Sequence, residues 1–471
     1  MKTKESKLSR REFLELAGTL GAGAVLASCA PEPAKTPAAE PTKTVEVPAV
    51  HTPTPIRFSS WWGDFWYDYA PLLEEKTNTK VTFESYPWQE YHEKIKLQMA
   101  AGEAPDIMMI NNINMGDFWP SGQLLPLNDY LVPPRFDASK YYWDPVDVGG
   151  YQGEILGLDQ YVAQPCVLHI NKTLTDELGL TETLPEFGKD NFDEWRYDDF
   201  VEFCEAATQV KANGEVETWA IGCPMMGYWN YCTKWAVYSN GGQQYDVWWF
   251  QGDETKCLLD SPESIEAISK QIDLTLEGYA YLESAAGPIE GGCFQTGRAA
   301  AYLGPPGSQF LPSKDLDFEK TYIHAPWFKQ RTVHTTGDFL CVNKASKNRE
   351  AAVDWLITQI TDPDVGRKFM QTMGLAPSYN GKMYYDELEE GTELKTLVGI
   401  HLSRWEGFSD YPEQAKATIH YPGHEGFIVS AFLRDTMDTA IEAALIGEKT
   451  AEQAVREAVA EINAELAAKS A

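Results

Sequence analysis

Apolar and polar residues alternate early in the chain at Ile56-Arg57-Phe58-Ser59-Ser60-Trp61, the period of a strand. Pro71 to Lys76 predicts the start of a helix, and Val81 to Tyr86 a second strand. Trp88, Tyr91, Ile95 and Met99 then recur at three- and four-residue intervals, which places them on one helix face, and Gly102 supplies the stop. Pro105-Asp106-Ile107-Met108-Met109-Ile110 predicts a short buried strand. Strand and helix in alternation predict an α/β lobe around a mostly parallel sheet.

Later segments repeat the helical signal. Residues 193–210 are amphipathic through Phe200, Phe203, Cys204 and Ala207. Residues 346–360 predict a helix with Glu350 placed for a capping box, and Thr361-Asp362-Pro363 restarts a helix that Gly374 ends. Thr450 with Gln453 predicts another capping box, ahead of Ala454, Val455, Ala458, Val459, Ile462 and Leu466 on one face. These apolar residues are core positions.

The N-terminus has a different pattern. Ser9-Arg10-Arg11-Glu12-Phe13-Leu14 precedes an uncharged stretch from Leu16 to Ser28 that ends at Leu26-Ala27-Ser28-Cys29. That stretch is too short to span a bilayer, which takes roughly 20 apolar residues, so the segment reads as a signal peptide. Arg10 and Arg11 resemble a twin-arginine export signal, and Leu26 to Cys29 resembles a lipobox, in which the thiol of Cys29 is acylated before cleavage. From Ala30 to Pro55 the prolines at 31, 33, 37, 41, 48, 53 and 55 alternate with Thr, Ala, Lys and Glu, with little to bury. Residues 29–55 are therefore expected to be an extended tether between a lipid anchor and a folded body.

Composition limits what that body does. Apolar residues at 43%, with 15 Trp, 23 Tyr and 20 Phe, indicate a well-cored globular protein, and its roughly 415 residues suit two or three domains. A net charge of −31 with no basic stripe disfavours nucleic acid and anionic lipid headgroups as partners. The cysteines after Cys29, at 166, 204, 223, 232, 257, 293 and 341, have no C-x-x-C spacing, so a metal centre is not expected. Export permits disulfides; Cys223 with Cys232 is the nearest pair in sequence, with buried free thiols the alternative.

Six tracts in order resemble the maltose-binding-protein-like extracellular solute-binding family 1. They are Tyr91 to Ile110 with Ala101-Gly102-Glu103-Ala104-Pro105-Asp106; Leu124-Leu125-Pro126-Leu127-Asn128-Asp129; and Tyr151 to Leu158 with Leu168-His169-Ile170-Asn171-Lys172. Phe294 to Tyr302, then Gly337 to Val342 with Ser346 to Ala352, and finally Gly447 to Ala454 complete the set. Asp159 and His169 depart from the family's usual residues near the expected ligand cleft, so a familiar member's substrate does not transfer. The resemblance implies a two-lobed periplasmic-binding-protein-like α/β fold with discontinuous lobes and a hinge. Lobe one is expected at 56–164 plus 296–344, and lobe two at 165–295 plus 345–471. The chain would be the substrate-binding lipoprotein of an ABC importer, a monomer on the outer face of the bacterial cytoplasmic membrane, that delivers a mono- or oligosaccharide to permease subunits.

A sugar site needs aromatic planes for C–H faces and planar polar groups for hydroxyls. Trp61 and Trp62 follow the first strand, with Asp64 either a hydroxyl acceptor or a helix cap. Asn111 and Asn112 end the strand after Pro105-Asp106, at an edge where open α/β sheets bind ligands, and Asn112 is the preferred contact. Asp159 and Tyr161 lie at the expected lobe crossing, and Trp229 and Asn230 are candidates for the second lobe's platform, ahead of Trp248 and Trp249. Gly304, Trp327, Gly337 and Asp338 flank the return to lobe one, and Trp405 and Tyr421 lie in a late aromatic-rich tract. Neutral ligands fit best, since Arg298 and Arg404 read as surface residues. No cofactor and no catalytic residue is expected. A secreted glycan-active enzyme is the rival class, and a polyol, peptide or phosphodiester the rival ligand.

Overall fold

The computed structural model describes residues 52–68, 70–142, 145–161, 164–165, 167–186, 195–222, 231–246, 255–290, 292–304, 315–330, 332–402, 418–420 and 430–469. Cys29, Arg10 and Arg11 lie outside these residues, as do Trp229, Asn230, Trp248, Trp249, Arg404, Trp405 and Tyr421.

The strands of three sheets are, in chain order, β1 (Thr54–Ser60), β2 (Thr79–Ser85), β3 (Ile107–Asn111), β4 (Leu158–Asp159), β5 (Gln164–Pro165), β6 (Val167–Asn171) and β7 (Gln209–Val210). There follow β8 (Val216–Ile221), β9 (Ala299–Gly304), β10 (Lys320–His324), β11 (Thr332–Thr336), β12 (Asp338–Val342) and β13 (Thr418–His420). The first sheet runs β2-β1-β3-β12-β4 and the second β10-β6-β9-β8-β7. A small third sheet is made of β13, β11 and β5, of which β5 and β11 lie on the connections between the other two. β1 is parallel to both β2 and β3, and β12 returns antiparallel to β3 with Asp338 opposite Asn111. All five residues of β3 are buried, as an apolar run at the centre of a sheet covered on both faces requires.

Helices α1 (Ala70–Thr77), α2 (Trp88–Ala101), α3 (Tyr197–Ala207), α4 (Pro262–Leu276), α5 (Arg349–Thr361), α6 (Pro363–Met373), α7 (Glu393–Leu402), α8 (Ser430–Leu445) and α9 (Ala451–Lys469) pack around these sheets. α2 stops where Gly102 takes φ 71° and its N–H reaches the Met99 carbonyl. α6 starts where the Asp362 carboxylate accepts the N–H groups of Asp364 and Val365, and Gly374 ends it at φ 68°. Each of the six apolar residues expected on the core face of α9 is buried.

Three expectations change. Strand pairing redraws the lobe boundaries: β9 and β10 join the second sheet, and only β12 of the segment 296–344 lies in the first. Conversely, α5 packs on α1, β1 and β12 of the first sheet, while α7 packs on β10 of the second, so the chain crosses back between α6 and α7. Family-like order does not reveal this, because a β-αβ tract reads alike whichever sheet accepts its strands. The segment 193–210 is not helical throughout: α3 ends at Ala207, and Gln209 and Val210 pair with β8 through a turn closed by Lys211 and Glu215. Finally, Glu350 caps nothing. Asn348 begins α5 without a side-chain capping bond, and Glu350 accepts from the Tyr130 hydroxyl at 3.0 Å.

Candidate functional site

β1 and β3 are parallel, so Trp61 and Trp62 after the one and Asn111 and Asn112 at the end of the other reach the same edge of the first sheet. β12 runs the opposite way and starts at that edge, bringing Gly337 and Asp338 there, and β4 ends there at Asp159. In the second sheet Val167, Gly304 and His324 are paired neighbours at the edge where the link from β4 arrives. Of the residues picked from sequence, Trp61, Trp62, Asn112, Asp159, Gly337, Asp338 and Gly304 thus lie at these two edges.

On the first sheet they form one bonded cluster. The Asp338 carboxylate accepts Asn111 Nδ2–H at 2.6 Å and the Tyr161 hydroxyl at 2.7 Å. Asn112 closes the backbone instead: its N–H donates to the Gly337 carbonyl at 3.0 Å, and its Oδ1 accepts from Gly337 N–H at 3.3 Å. Asn111 also donates to that carbonyl at 3.3 Å. Asn111 thus holds the carboxylate, while Asn112, the contact preferred from sequence, is 1% exposed and ties two strand ends together.

Above the cluster lies a layer of rings. Trp62 stacks on Tyr161 at 5.8 Å and 25° and on Trp66 at 5.9 Å and 17°, and Phe369 lies 6.3 Å from Tyr161 at 11°. Trp61 turns the other way, against Trp88, Tyr91 and His92. Trp61 and Trp62 are only partly buried and pack against the core, whereas Tyr161 is enclosed. Asp64 falls in the 3-10 turn Gly63–Asp68; its side chain lies outside the described residues.

The electrostatics follow from burial. Asp159 is fully enclosed; its backbone carbonyl accepts from the Tyr141 and Ser378 hydroxyls, and its Oδ1 accepts Tyr161 N–H at 3.4 Å, but Oδ2 makes no hydrogen bond. Loss of water, then the neighbouring Asp338 charge, push the Asp159 carboxyl well above the usual carboxylate range. Asp338 is pushed up to about 6, again chiefly by burial, with Asn111 and Tyr161 opposing the rise. His92, whose Nε2 accepts Asn111 N–H at 3.2 Å, is pushed down to about 3 by burial and stays neutral.

Sequence alone places Asp159, Tyr161 and Asp338 on the ligand, and the structure turns all three inward, toward each other. Gly304 ends β9 where a Cβ would lie 2.2 Å from the Tyr302 ring. Trp327 is 1% exposed and exchanges backbone bonds with Trp195 and Tyr197. Arg298, expected on the surface, sits 5.0 Å over the Trp219 ring. Phe369, His92 and Ser378 are absent from the residues that sequence picks out. Phe369 repeats with Val365 and Met373 on the apolar face of α6, so it reads as core, and nothing local marks the other two. Among the described residues no group of three or more His, Cys, Asp or Glu is placed to hold a metal, and no helix is long and apolar enough to cross a membrane. Cys204, Cys257, Cys293 and Cys341 are buried free thiols, while Cys166, Cys223 and the Cys232 side chain lie outside the described residues. A groove lined by Leu184, Trp195, Asp199 and Phe203 contains none of the expected ligand residues.

Two α/β sheets joined by linking strands, with aromatic and polar residues gathered at the joined edges, define the two-lobed fold of periplasmic solute-binding proteins. Residues 53–370 match the bacterial extracellular solute-binding protein family, and the chain belongs to it. Solved structures agree on the fold. An ABC substrate-binding protein of Listeria monocytogenes in complex with cycloalternan superposes with a TM-score of 0.72 at 19% identity, covering 88% of this chain and 99% of that one. The cyclic α-maltosyl-1,6-maltose binding protein of Arthrobacter globiformis gives 0.66 at 17% identity, over 88% and 99%. The maltotriose binding protein of Thermus thermophilus, bound with maltotriose, gives 0.62 at 18% identity, over 87% and 99%. The family and these neighbours are binding proteins rather than enzymes.

Proposed function

We propose that the chain is the exported substrate-binding lipoprotein of an ABC importer, that it captures a neutral mono- or oligosaccharide between its lobes, and that it passes the ligand to permease subunits. One observation carries the carbohydrate reading: Trp61 and Trp62, both only partly buried, follow β1 at the edge of the first sheet where Asn111 and Asp338 also lie, with Trp62 stacked on Tyr161. An indole plane suits the C–H face of a pyranose, and the absence of an exposed cation among those side chains suits a neutral ligand. The structural neighbours, whose names include oligosaccharides, point the same way. Arg10, Arg11 and Cys29, followed by the proline-rich tether, support twin-arginine export and a lipid anchor on the outer face of the cytoplasmic membrane. A binding-only role is favoured over a glycan-active enzyme because Asp159 and Asp338, the carboxyl pair at this edge, are enclosed and face each other's surroundings rather than an opening.

The test is a thermal-shift screen of the mature chain against neutral sugars, polyols, peptides and phosphoesters, followed by calorimetry on each hit. A neutral saccharide should raise the melting temperature, and Trp62→Ala should weaken its binding at least about tenfold, equivalent to about 1.4 kcal/mol. Stabilisation by peptides or charged ligands alone overturns the carbohydrate reading, and turnover of a glycan overturns the binding-only one.

A further inference from the structure

Two strand-borne segments link the sheets, residues 160–166 after β4 and 325–337 before β12, and the residue at which each meets the first sheet is an aspartate. Asp159 ends β4, Asp338 opens β12, and the strands are neighbours with Phe339 registered opposite Asp159. The two carboxyls therefore occupy the root of both links.

Their hydrogen bonding is unequal. Asp338 has a donor on each oxygen, Asn111 and Tyr161, which is the arrangement that holds an anion. Asp159 has one long bond from Tyr161 N–H to Oδ1 and none of ordinary geometry on Oδ2, although it is completely enclosed; the Asp338 and Gln160 N–H groups oppose the rise in its pKa without overcoming burial. The groups around it are Tyr141, Gln160, Tyr161 and Ser378, all neutral, together with Asp338. On the elements packed against this pair, β3 carries no charged residue, and the only other ionisable group of β12 is the Cys341 thiol, which burial pushes up. The short helix Pro145–Gly149 adds Asp147 in its sequence, a further acid. On α5, Glu350 is engaged by Tyr130 and Asp354 by Arg135, which leaves Arg349 at its start; on α6, which meets Tyr161 through Phe369, Asp364 pairs with Lys76 and Arg367 with Glu387, and Lys368 is exposed. Neutral His92 reaches Asp338 only through Asn111. No cation contacts Asp159 among the described residues, so an ionised Asp159 would be a bare charge beside a second carboxylate, an arrangement that a single proton removes.

We propose that Asp159 is a protonation switch in the hinge, neutral while enclosed and ionised once rotation of the links admits water to it. The proton comes from solvent and returns to it, so the enclosed and hydrated arrangements exchange with one proton between them. Acid then favours the enclosed arrangement, and ligand binding that changes the hinge angle is linked to pH even for a neutral ligand. This inference goes beyond the binding function proposed above and does not depend on the ligand's identity.

The experiment uses the ligand-free mature protein. Infrared difference spectra at neutral pH should show a protonated-carboxyl band in the wild type that Asp159→Asn removes. Spin labels, one on each lobe, should report a distance distribution whose two populations shift by up to about tenfold per pH unit, the limit for one proton, and that becomes independent of pH in Asp159→Asn. Asp338→Asn provides the second variant: it keeps the band, because enclosure remains, and moves the transition to lower proton demand, that is to lower pH. The proposal is overturned by absence of the band, by pH dependence that persists in Asp159→Asn, or by populations that follow sodium or potassium concentration at fixed pH, which would mean that a bound metal cation, rather than a proton, neutralises Asp159.

Discussion

His401 provides a stability prediction whose sign is opposite to the usual cost of mutating a core residue. It lies on α7, is 0% exposed, and neither ring nitrogen makes a hydrogen bond. Burial pushes its pKa down to about 3 from 6.5. In the native state the ring therefore stays neutral through the mildly acidic range, whereas in the unfolded chain it takes a proton below about pH 6.5. The unfolded state then binds more protons, so the contribution is fully present above pH 6.5 and is lost as pH falls from there towards 3. At pH 5 one such histidine lowers stability by about 2 kcal/mol relative to pH 8. Replacing it by leucine, of similar bulk, removes two unmet polar atoms as well as the titration. His401→Leu should stabilise the ligand-free protein by about 1 to 3 kcal/mol at pH 8 and by about 2 kcal/mol more at pH 5. Urea unfolding of both proteins at both pH values reads this directly, and His92, present in each, cancels in the difference. Equal effects at the two pH values, or a loss of stability at pH 8, would refute the argument by showing that the ring has a partner.

Two further substitutions test the joined edge. Gly149→Ala should lower thermal stability severely, by about 3 kcal/mol or more, because a Cβ there would lie 2.0 Å from the backbone oxygen of Gly157, which has no side-chain freedom to move away. A melting curve within a degree of wild type would contradict the close approach of those two backbone segments. Asn111→Ala removes one of the two donors on Asp338 and should cost about 2 kcal/mol at pH 8 by chemical denaturation. The cost should shrink at pH 5, since a carboxyl with a raised pKa gains a proton as pH falls through about 6 and then needs its donors less. A penalty that grows in acid would be inconsistent with an ionised Asp338.

The first sheet and its helices are readable from sequence because burial there is periodic. Trp88, Tyr91, Ile95 and Met99 repeat with the helix, Gly102 and Gly374 stand where a left-handed residue ends one, and Ile107 to Ile110 form an unbroken apolar run of strand length. The lobe assignment of β9, β10 and α5 is not readable, because partner choice between two sheets depends on which hydrogen-bonding edge a strand meets, and Ala299 to Leu303 would be as well buried in either. The hairpin at Lys211 shows the same limit locally. Cys204 and Ala207 keep the helical period, and only the exposed Val210 beyond them signals that the chain has already turned.

At the site, residue type is legible and orientation is not. Asp159 and Asp338 look like ligand contacts because a carboxylate in an apolar tract must be satisfied by something. Sequence shows that need without showing whether a bound molecule or the chain's own side chains meet it. Asn111, distant in sequence from Asp338 but opposite it in the sheet, meets it for one aspartate, and nothing meets it fully for the other. Asn111 and Asn112 make the point at the smallest scale, since neighbours at a strand end face opposite ways and only the pairing with Gly337 and Asp338 decides which one holds the carboxylate. The aromatic residues divide by the same rule: Trp327 and Tyr161 are buried, and Trp61 and Trp62 stay only partly buried where the chain leaves β1 for a turn rather than another strand. On the proposed function, a ligand would meet first what the fold leaves partly uncovered at the end of β1, while Asp159 and Asp338 beneath it belong to the links between the sheets.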